Sequence, residues 1–420
     1  MGSTAWAIIS LLALVAVIII ANVKNINVGL VGIAMAMLVG TLAGVSYKNI
    51  VGGFNYTLFI RAMGMQSLIV VAKMNGTLEV IAQKIIKIGC GRAIKFLPIF
   101  LYVALIACEF LGTGVFSLAL PVLIALAFEL GMPALKVAGI GLITMTGGAV
   151  SPYAPPGIIL RGLIENEAID ANLWNTAFAG LIVSAILFAI FYFVFGWYKE
   201  KPQEIKMAAE DKKINWKQWL TLVGYVIFVF CNLVLGLDTG LTPIIIAIFL
   251  CLIGVADGSQ IIKRLPFNSL IMVGGMTIMV GVVSTLGGID IITSGLTLVA
   301  TKALAPGLMA FTASGMSVIS SAQGVVMPTL IPTVPGFVEA VPGVSAQSLV
   351  SAVGLGAYAT GISPLSTTGA NVMANYGTVY APDAKEEKKL FNQLLIMAGC
   401  CWLGYTIAGL LGLYNIVLFK

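Results

Sequence analysis

Residues 151–157 read SPYAPPG and residues 363–369 read SPLSTTG, and both stretches interrupt long apolar runs. Proline has no backbone N–H and clashes with the preceding helical turn, so neither stretch fits an unbroken helix. The surrounding chain is nevertheless suited to a membrane, because 59% of its 420 residues are hydrophobic and only 10% are charged. Backbone groups in hydrocarbon need internal partners, so we expect each break to be buried in protein or to line a wet cavity.

The composition as a whole predicts a polytopic protein of the inner (plasma) membrane. Mean hydropathy is +1.04, and apolar stretches of about 18 residues or more, enough to span a bilayer, recur along the chain. The start MGSTAW lacks the basic segment of a cleavable signal peptide. We attribute the net charge of +6 to loop topology, and we expect no nucleic-acid partner. The chain has no His and no spacing typical of a metal or catalytic cluster, so we expect neither an organic cofactor nor an enzyme.

Four landmarks recur at an offset of 211 or 212 residues, which predicts two structural repeats. The matched features are segments 29–45 and 240–256, segments 74–85 and 286–297, and the residue pairs Gly112/Gly324 and Ser151/Ser363. The repeats cover residues 1–197 and 216–420, and a charged cytoplasmic linker at residues 198–215 joins them. Repeats of this kind are the usual plan of secondary transporters.

Each repeat is predicted to be entirely α-helical, with five transmembrane crossings, a re-entrant two-armed hairpin and one broken helix. The transport elements lie near residues 93–164 and 306–380, and the remainder forms a scaffold. Five crossings are an odd number, so the second repeat should be inverted relative to the first. Lys and Arg concentrate on the linker side, which places the linker in the cytoplasm and both termini outside.

The interruptions are the predicted binding region. Carbonyls freed by a break, and the C-terminal ends of half-helices, suit a cation, whereas the N–H groups that start the next half-helix suit an anion. The Gly-rich hairpin tips at residues 110–115 and 320–325 each precede a matching Ser-Pro by the same distance. Two simpler interpretations are a proline kink at each break and close small-residue packing at each tip.

Glu109 lies just before the first tip, and its counterpart in the second repeat is Ser321. A carboxylate at membrane depth is costly and by default indicates function. Glu109 could bind a cation, carry a proton, or pair with a base such as Lys73 or Arg61.

The pattern resembles the ion transporter superfamily, in particular its divalent-anion/sodium symporters and the MatC-type dicarboxylate (malonate) carriers. The resemblance is carried by the motifs APPG at 154–157 and STTG at 366–369, and by MNGTLEVIAQKI at 74–85. At the tips, Leu111-Gly112-Thr113 and Ser321-Ala322-Gln323 stand where the divalent-anion symporters have Ser-Asn-Thr.

The resemblance implies a homodimer that carries small carboxylates by an elevator mechanism, with Na⁺ as the coupling ion. The implied solutes are dicarboxylates such as malonate or C4 acids. The implied solute-binding residues are Thr113, Gly114, Gln323, Pro155, Pro156, Ser366, Thr367, Thr368 and Asn371. The implied cation-binding residues, at two tip-and-break sites, are Gly112, Ser151, Gly157, Ser321, Gly324, Ser363 and Gly369.

Three functional hypotheses follow from these residues. The first is a secondary carrier of small carboxylates driven by Na⁺ or H⁺. The second is a cation/proton antiporter on the same fold, which Glu109 favours. The third is the membrane subunit of a binding-protein-dependent transporter, which would need further partner chains.

Overall fold

A computed structural model of the chain describes residues 3–24, 26–78, 80–81, 84, 97–112, 123–124, 127, 133–194, 196–199, 214–238, 240–318, 320–380 and 382–418. Helices, turns and short connections account for all of these residues. The predicted all-α class is therefore confirmed. The α-helices in chain order are α1 (Ser3–Lys24), α2 (Val28–Leu42), α3 (Tyr47–Gly52), α4 (Tyr56–Met74), α5 (Leu97–Phe110), α6 (Ala134–Gly148), α7 (Pro155–Asn166), α8 (Leu173–Val194), α9 (Trp216–Leu235), α10 (Leu241–Leu252), α11 (Gly258–Arg264), α12 (Phe267–Thr285), α13 (Gly288–Thr297), α14 (Ala305–Ser317), α15 (Met327–Leu330), α16 (Val334–Ala340), α17 (Ala346–Ala359), α18 (Thr367–Tyr380) and α19 (Ala384–Leu410).

Both expected breaks are present. The first lies between α6 and α7, and the second lies between α17 and α18. The second hairpin has α14 as its first arm. Its return arm begins with a π-helical turn at Ala322–Val326 and continues through α15, a 3₁₀ turn at Ile331–Thr333 and α16. For the first hairpin, α5 is the described arm, and the predicted tip residues Thr113 and Gly114 lie outside the described residues.

Three described helices are long and apolar enough to cross a bilayer unaided, namely Thr4–Ala21, Leu173–Val194 and Lys385–Leu410. A fourth span exists if α12 and α13 are counted together, since these helices are bent by 77° at their junction. Several other described helices are apolar but shorter. These helices make the chain a multi-pass membrane protein. Five crossings per repeat and the sides of the linker and termini stay predictions.

The bend between α12 and α13 depends on a glycine. Gly287 has φ +83°, and Gly76, which precedes it by 211 residues, has φ +75°. Residues with a Cβ rarely adopt this left-handed conformation, so glycine permits the abrupt turn. Gly76 lies in the segment MNGTL and Gly287 in the segment LGGID, so the matched segments of both repeats contain a glycine with positive φ.

The two halves pack through reciprocal glycine contacts. A Cβ on Gly275 of α12 would lie 2.3 Å from the carbonyl oxygen of Gly29 on α2. A Cβ on Gly64 of α4 would lie 1.9 Å from the carbonyl oxygen of Gly240, at the start of α10. Gly240 and Gly275 follow Gly29 and Gly64 by 211 residues each. Exchanging the halves therefore turns one contact into the other, which is the pattern that a two-fold relation between repeats produces. The boundaries of the repeats and their inversion in the bilayer stay predictions.

A buried polar network ties α8 to α17. The Gln347 side chain accepts a hydrogen bond from the Asn172 backbone (2.6 Å) and donates to the Thr176 and Ser351 hydroxyls at 3.0 and 3.1 Å. The two hydroxyls are also 2.9 Å apart. Interhelical hydrogen bonds of this kind stabilise helix pairs in membranes, so α8 supports the first half of the second broken helix.

Candidate functional site

The end of α5, which leads into the first tip, rests directly on the first break. The Ser151 hydroxyl donates a hydrogen bond to the Phe110 carbonyl oxygen. Gly112 has φ +70°, and a Cβ there would lie 2.1 Å from the carbonyl oxygen of Tyr153. Only glycine allows the two backbones to approach this closely. Gly112 and Ser151, which the family resemblance implies share one cation site, are therefore brought together.

Both breaks are closed by the same contact between a serine carbonyl and a glycine. A Cβ on Gly157 would lie 1.8 Å from the Ser151 carbonyl oxygen, and a Cβ on Gly369 would lie 2.0 Å from the Ser363 carbonyl oxygen. In each break the chain leaves the first half-helix, turns, and brings the first turn of the next half-helix back against the serine. The two repeats thus build the same backbone bend from SPYAPPG and SPLSTTG.

The starts of the two second half-helices differ. Pro155 and Pro156 occupy the first two positions of α7, where a missing N–H is tolerated, and Ala154 provides no side-chain cap. At α18, Ser366 acts as the cap: its hydroxyl accepts from the Gly369 N–H at 3.2 Å and lies 2.6 Å from the Gly361 carbonyl oxygen. The N-terminal end of α7 therefore has no side-chain cap, and because its two prolines carry no N–H it favours an anionic group mainly through the helix dipole.

The other predicted residues of the second break lie on α18. Thr367 is its first residue, and Asn371 follows one turn later. The side chains of both residues are outside the described part of the structure, whereas Thr368 is described and half-buried.

The second tip is held by polar contacts of its own. The Ser321 hydroxyl accepts a hydrogen bond from the Gly324 N–H at 3.2 Å and so caps the π-helical turn. A Cβ on Gly324 would lie 2.5 Å from the Met272 side chain of α12, so the tip also touches the region predicted as scaffold. The Gln323 amide donates to the Tyr358 hydroxyl at 2.6 Å.

Glu109 is buried, with 8% of its surface exposed, and packs on the first broken helix. A Cβ on Gly148 would lie 2.7 Å from the Cβ of Glu109. Glu109 also interacts electrostatically with Tyr358, whose hydroxyl accepts from Gln323. Tyr358 of α17 thus contacts the amide of the second tip and is close enough to the carboxylate before the first tip to interact with it electrostatically.

Sequence reasoning missed Tyr358. It is a polar aromatic residue within the run of small residues AVGLGAYATG at 352–361, and that contrast was the available signal. Arg61, one of the suggested partners of Glu109, pairs with Glu165 of α7 and with Asp238, whose Oδ2 lies 2.7 Å from its Nε. Lys73 is exposed.

The oxygen atoms gathered here are carbonyls and hydroxyls, apart from Glu109. Among the described residues, no group of three or more His, Cys, Asp or Glu side chains could hold a metal ion. Neutral oxygens suit an alkali cation or a hydrogen-bonded anion.

Comparison with known proteins identifies the family. A family model described as "CitMHS: Citrate transporter" matches residues 14–356, which is most of the chain. The chain belongs to the citrate transporter family. No curated protein matches it.

Among solved structures, this citrate transporter family member is similar to the YdaH transporter of Alcanivorax borkumensis, a protein described as having an unusual topology. The TM-score is 0.62, with 17% identity over 89% of this chain and 88% of that chain. At this identity the likeness is one of fold. Family membership and the apolar helices together make the protein a multi-pass membrane transporter of the carboxylate/anion class.

Proposed function

We propose that this citrate transporter family member is a secondary active carrier of small di- or tricarboxylates. The observation that carries the proposal is the paired Ser–Gly closure of the two breaks, at Gly157 and Gly369. The dipoles of two half-helices, directed at the breaks, favour carboxylate groups, and break carbonyls supply ligands for a coupling cation. The family description adds citrate to the malonate and C4 acids expected from the sequence.

Transport follows an elevator mechanism in this proposal. The hairpins and broken helices move as one unit against a scaffold that includes α2, α4, α10 and α12, and the scaffold mediates a homodimer. The reciprocal glycine contacts among those four helices support a rigid scaffold, because helices crossing with backbone in contact cannot slide past each other without separating.

Uptake into proteoliposomes tests the function. Purified protein is reconstituted, and labelled citrate, malonate, succinate and an uncharged control are offered while Na⁺ and pH gradients are imposed separately. We expect gradient-driven accumulation of at least one carboxylate by the purified chain alone. Absence of uptake of every acid under both gradients contradicts the proposal, and cation-dependent proton flux without any organic solute would favour an antiporter.

Glu109 distinguishes the coupling ion. A buried carboxylate that takes up and releases a proton during the cycle makes transport pH-dependent. If H⁺ is the coupling ion, Glu109→Gln should flatten the pH profile of uptake and remove accumulation driven by a pH gradient. If Na⁺ is the coupling ion, Na⁺-driven uptake should keep its wild-type pH profile in this variant. The matched control is Glu339→Gln, which alters an exposed carboxylate at the end of α16.

A further inference from the structure

A cavity of about 670 Å³ opens beside the second hairpin and has no role in the site described above. Its walls come from four parts of the chain: residues 48–57 around the α3–α4 turn, the polar face of α12, the end of α7 near Glu167, and the return arm of the second hairpin. Its volume lies within the range of small-molecule pockets, about 300–1,000 Å³. The cavity therefore lies between elements predicted as scaffold and elements predicted to move.

The cavity approaches the second tip. Pro328 and Pro332 of the hairpin's return arm line it, and Pro328 is buried. Pro328 follows Gly324 by four residues, which is about 6 Å along a helix. The tip amide of Gln323, which contacts Tyr358, is thus about one helical turn from the cavity. The cavity and the second tip are therefore neighbours along the return arm.

The lining suits passage of a carboxylate. Asn49, Asn166 and Ser284 provide neutral polar groups. Such groups can donate hydrogen bonds to a carboxylate and bind it more weakly than a buried ion pair would. Lys48 is an exposed cation in the wall and Glu167 is a half-buried carboxylate. An exposed cation at the mouth raises the local concentration of an anionic solute, an effect that salt weakens.

From these observations we propose that this cavity, hereafter the α12 vestibule, is the route by which the carboxylate reaches the second tip from the side opposite the linker. Lys48 attracts the anion at its mouth. The inference rests on the proposed function for the identity of the solute, but the sidedness of the cavity can be measured without transport.

Thiol labelling tests the route. In a variant whose six native cysteines are replaced by alanine, Ser284→Cys is treated with a membrane-impermeant thiosulfonate from one side at a time. We expect labelling from the side opposite the linker and a loss of uptake of about tenfold. The matched control is Ser259→Cys, in the exposed turn at the start of α11 on the predicted linker side, where labelling should leave uptake unchanged.

The role of the Lys48 charge is tested with Lys48→Gln, and Lys24→Gln is the control. Both lysines are exposed, but they are predicted to lie on opposite sides of the membrane. At low ionic strength we expect Lys48→Gln to raise the KM for the carboxylate about three- to tenfold with little change in kcat. The difference from wild type should disappear at high salt. Lys24→Gln should leave KM unchanged.

Three outcomes overturn the inference. If Ser284→Cys is labelled only from the linker side, the cavity opens on the side opposite to the one proposed. If Ser284→Cys is fully labelled and uptake is unaltered, the cavity is not part of the solute route. A KM for Lys48→Gln equal to wild type at low salt removes the role of the lysine. If wild-type protein transports no carboxylate, the proposed function fails instead, and the labelling pattern still reports the side on which the vestibule opens.

Discussion

Substitution of Gly369 by alanine isolates the contact that closes the second break. The added Cβ would lie 2.0 Å from the Ser363 carbonyl oxygen and 2.8 Å from the Ile362 carbonyl oxygen, where real contacts are essentially never below 3.0 Å. The break or α18 must therefore move by about 1 Å. Neither neighbour is a flexible side chain, so the displacement falls on the backbone.

The energetic consequence can be worked from two opposing effects. Forcing extra volume into a packed site costs about 1–3 kcal/mol, whereas alanine is favoured over glycine within a helix by about 0.5–1 kcal/mol. The expected net loss of folding free energy is about 1–2 kcal/mol. If the same backbone binds the solute, a comparable loss of binding energy weakens apparent affinity about tenfold, since 1.4 kcal/mol is a factor of ten.

Gly377 is the matched control, because it lies on the same helix, is exposed, and would place an added Cβ with no other atom within 4 Å. Gly377→Ala should keep wild-type affinity and stability or gain slightly. The assays are thermal unfolding followed by tryptophan fluorescence and the concentration dependence of uptake in proteoliposomes. Equal effects of the two substitutions, or an unchanged KM and Tm for Gly369→Ala, would refute the reasoning.

Two further predictions concern side chains that bridge helices. Tyr358→Phe removes the hydroxyl that accepts from Gln323 and leaves a part-buried amide unpaired, so stability should fall by about 1 kcal/mol and KM should rise; an unchanged KM would place Tyr358 outside the solute path. Arg61→Ala takes the Arg61 partner from Asp238 and leaves Glu165 paired only with Arg161 at 3.7 Å, and it should cost about 1–2 kcal/mol, allowing for partial exposure. Glu165→Gln keeps the Arg61–Asp238 pair at 2.7 Å and should cost less than about 1 kcal/mol; thermal unfolding of both variants decides whether that order holds.

The breaks were predictable because proline acts locally. SPYAPPG cannot donate the hydrogen bonds of a continuous helix, whatever surrounds it, and the repeat offset transferred the inference to SPLSTTG. The matched segments 74–85 and 286–297 contain Gly76 and Gly287, but the positive φ angles of these glycines and the bend at Gly287 were visible only in the structure. The positions of the two breaks were therefore predictable from local chemistry and from the internal repeat.

Side-chain partners could not be predicted, because they depend on how distant helices meet. Tyr358 contacts a residue 35 positions earlier, and Gln347 contacts Asn172 from 175 positions away. Ser366 is among the residues expected to bind solute, but in the structure its hydroxyl caps the N-terminus of α18. Serine is a preferred residue at the position before a helix, so the sequence is equally compatible with this capping role. The cavity beside Thr277 is formed by four separate chain segments, and no spacing in the sequence indicates that they meet.

Arg61 and Met272 occupy corresponding positions in the two repeats, and their different chemistry shows that the halves have diverged. Met272 follows Arg61 by 211 residues. The arginine forms an ion pair with Glu165 of α7, whereas the methionine side chain packs against Gly324. One half therefore has an ion pair at this position, and the other half has a flexible apolar side chain. In the proposed mechanism the single moving unit therefore meets the scaffold through two chemically different contacts, an ion pair in one half and an apolar contact in the other.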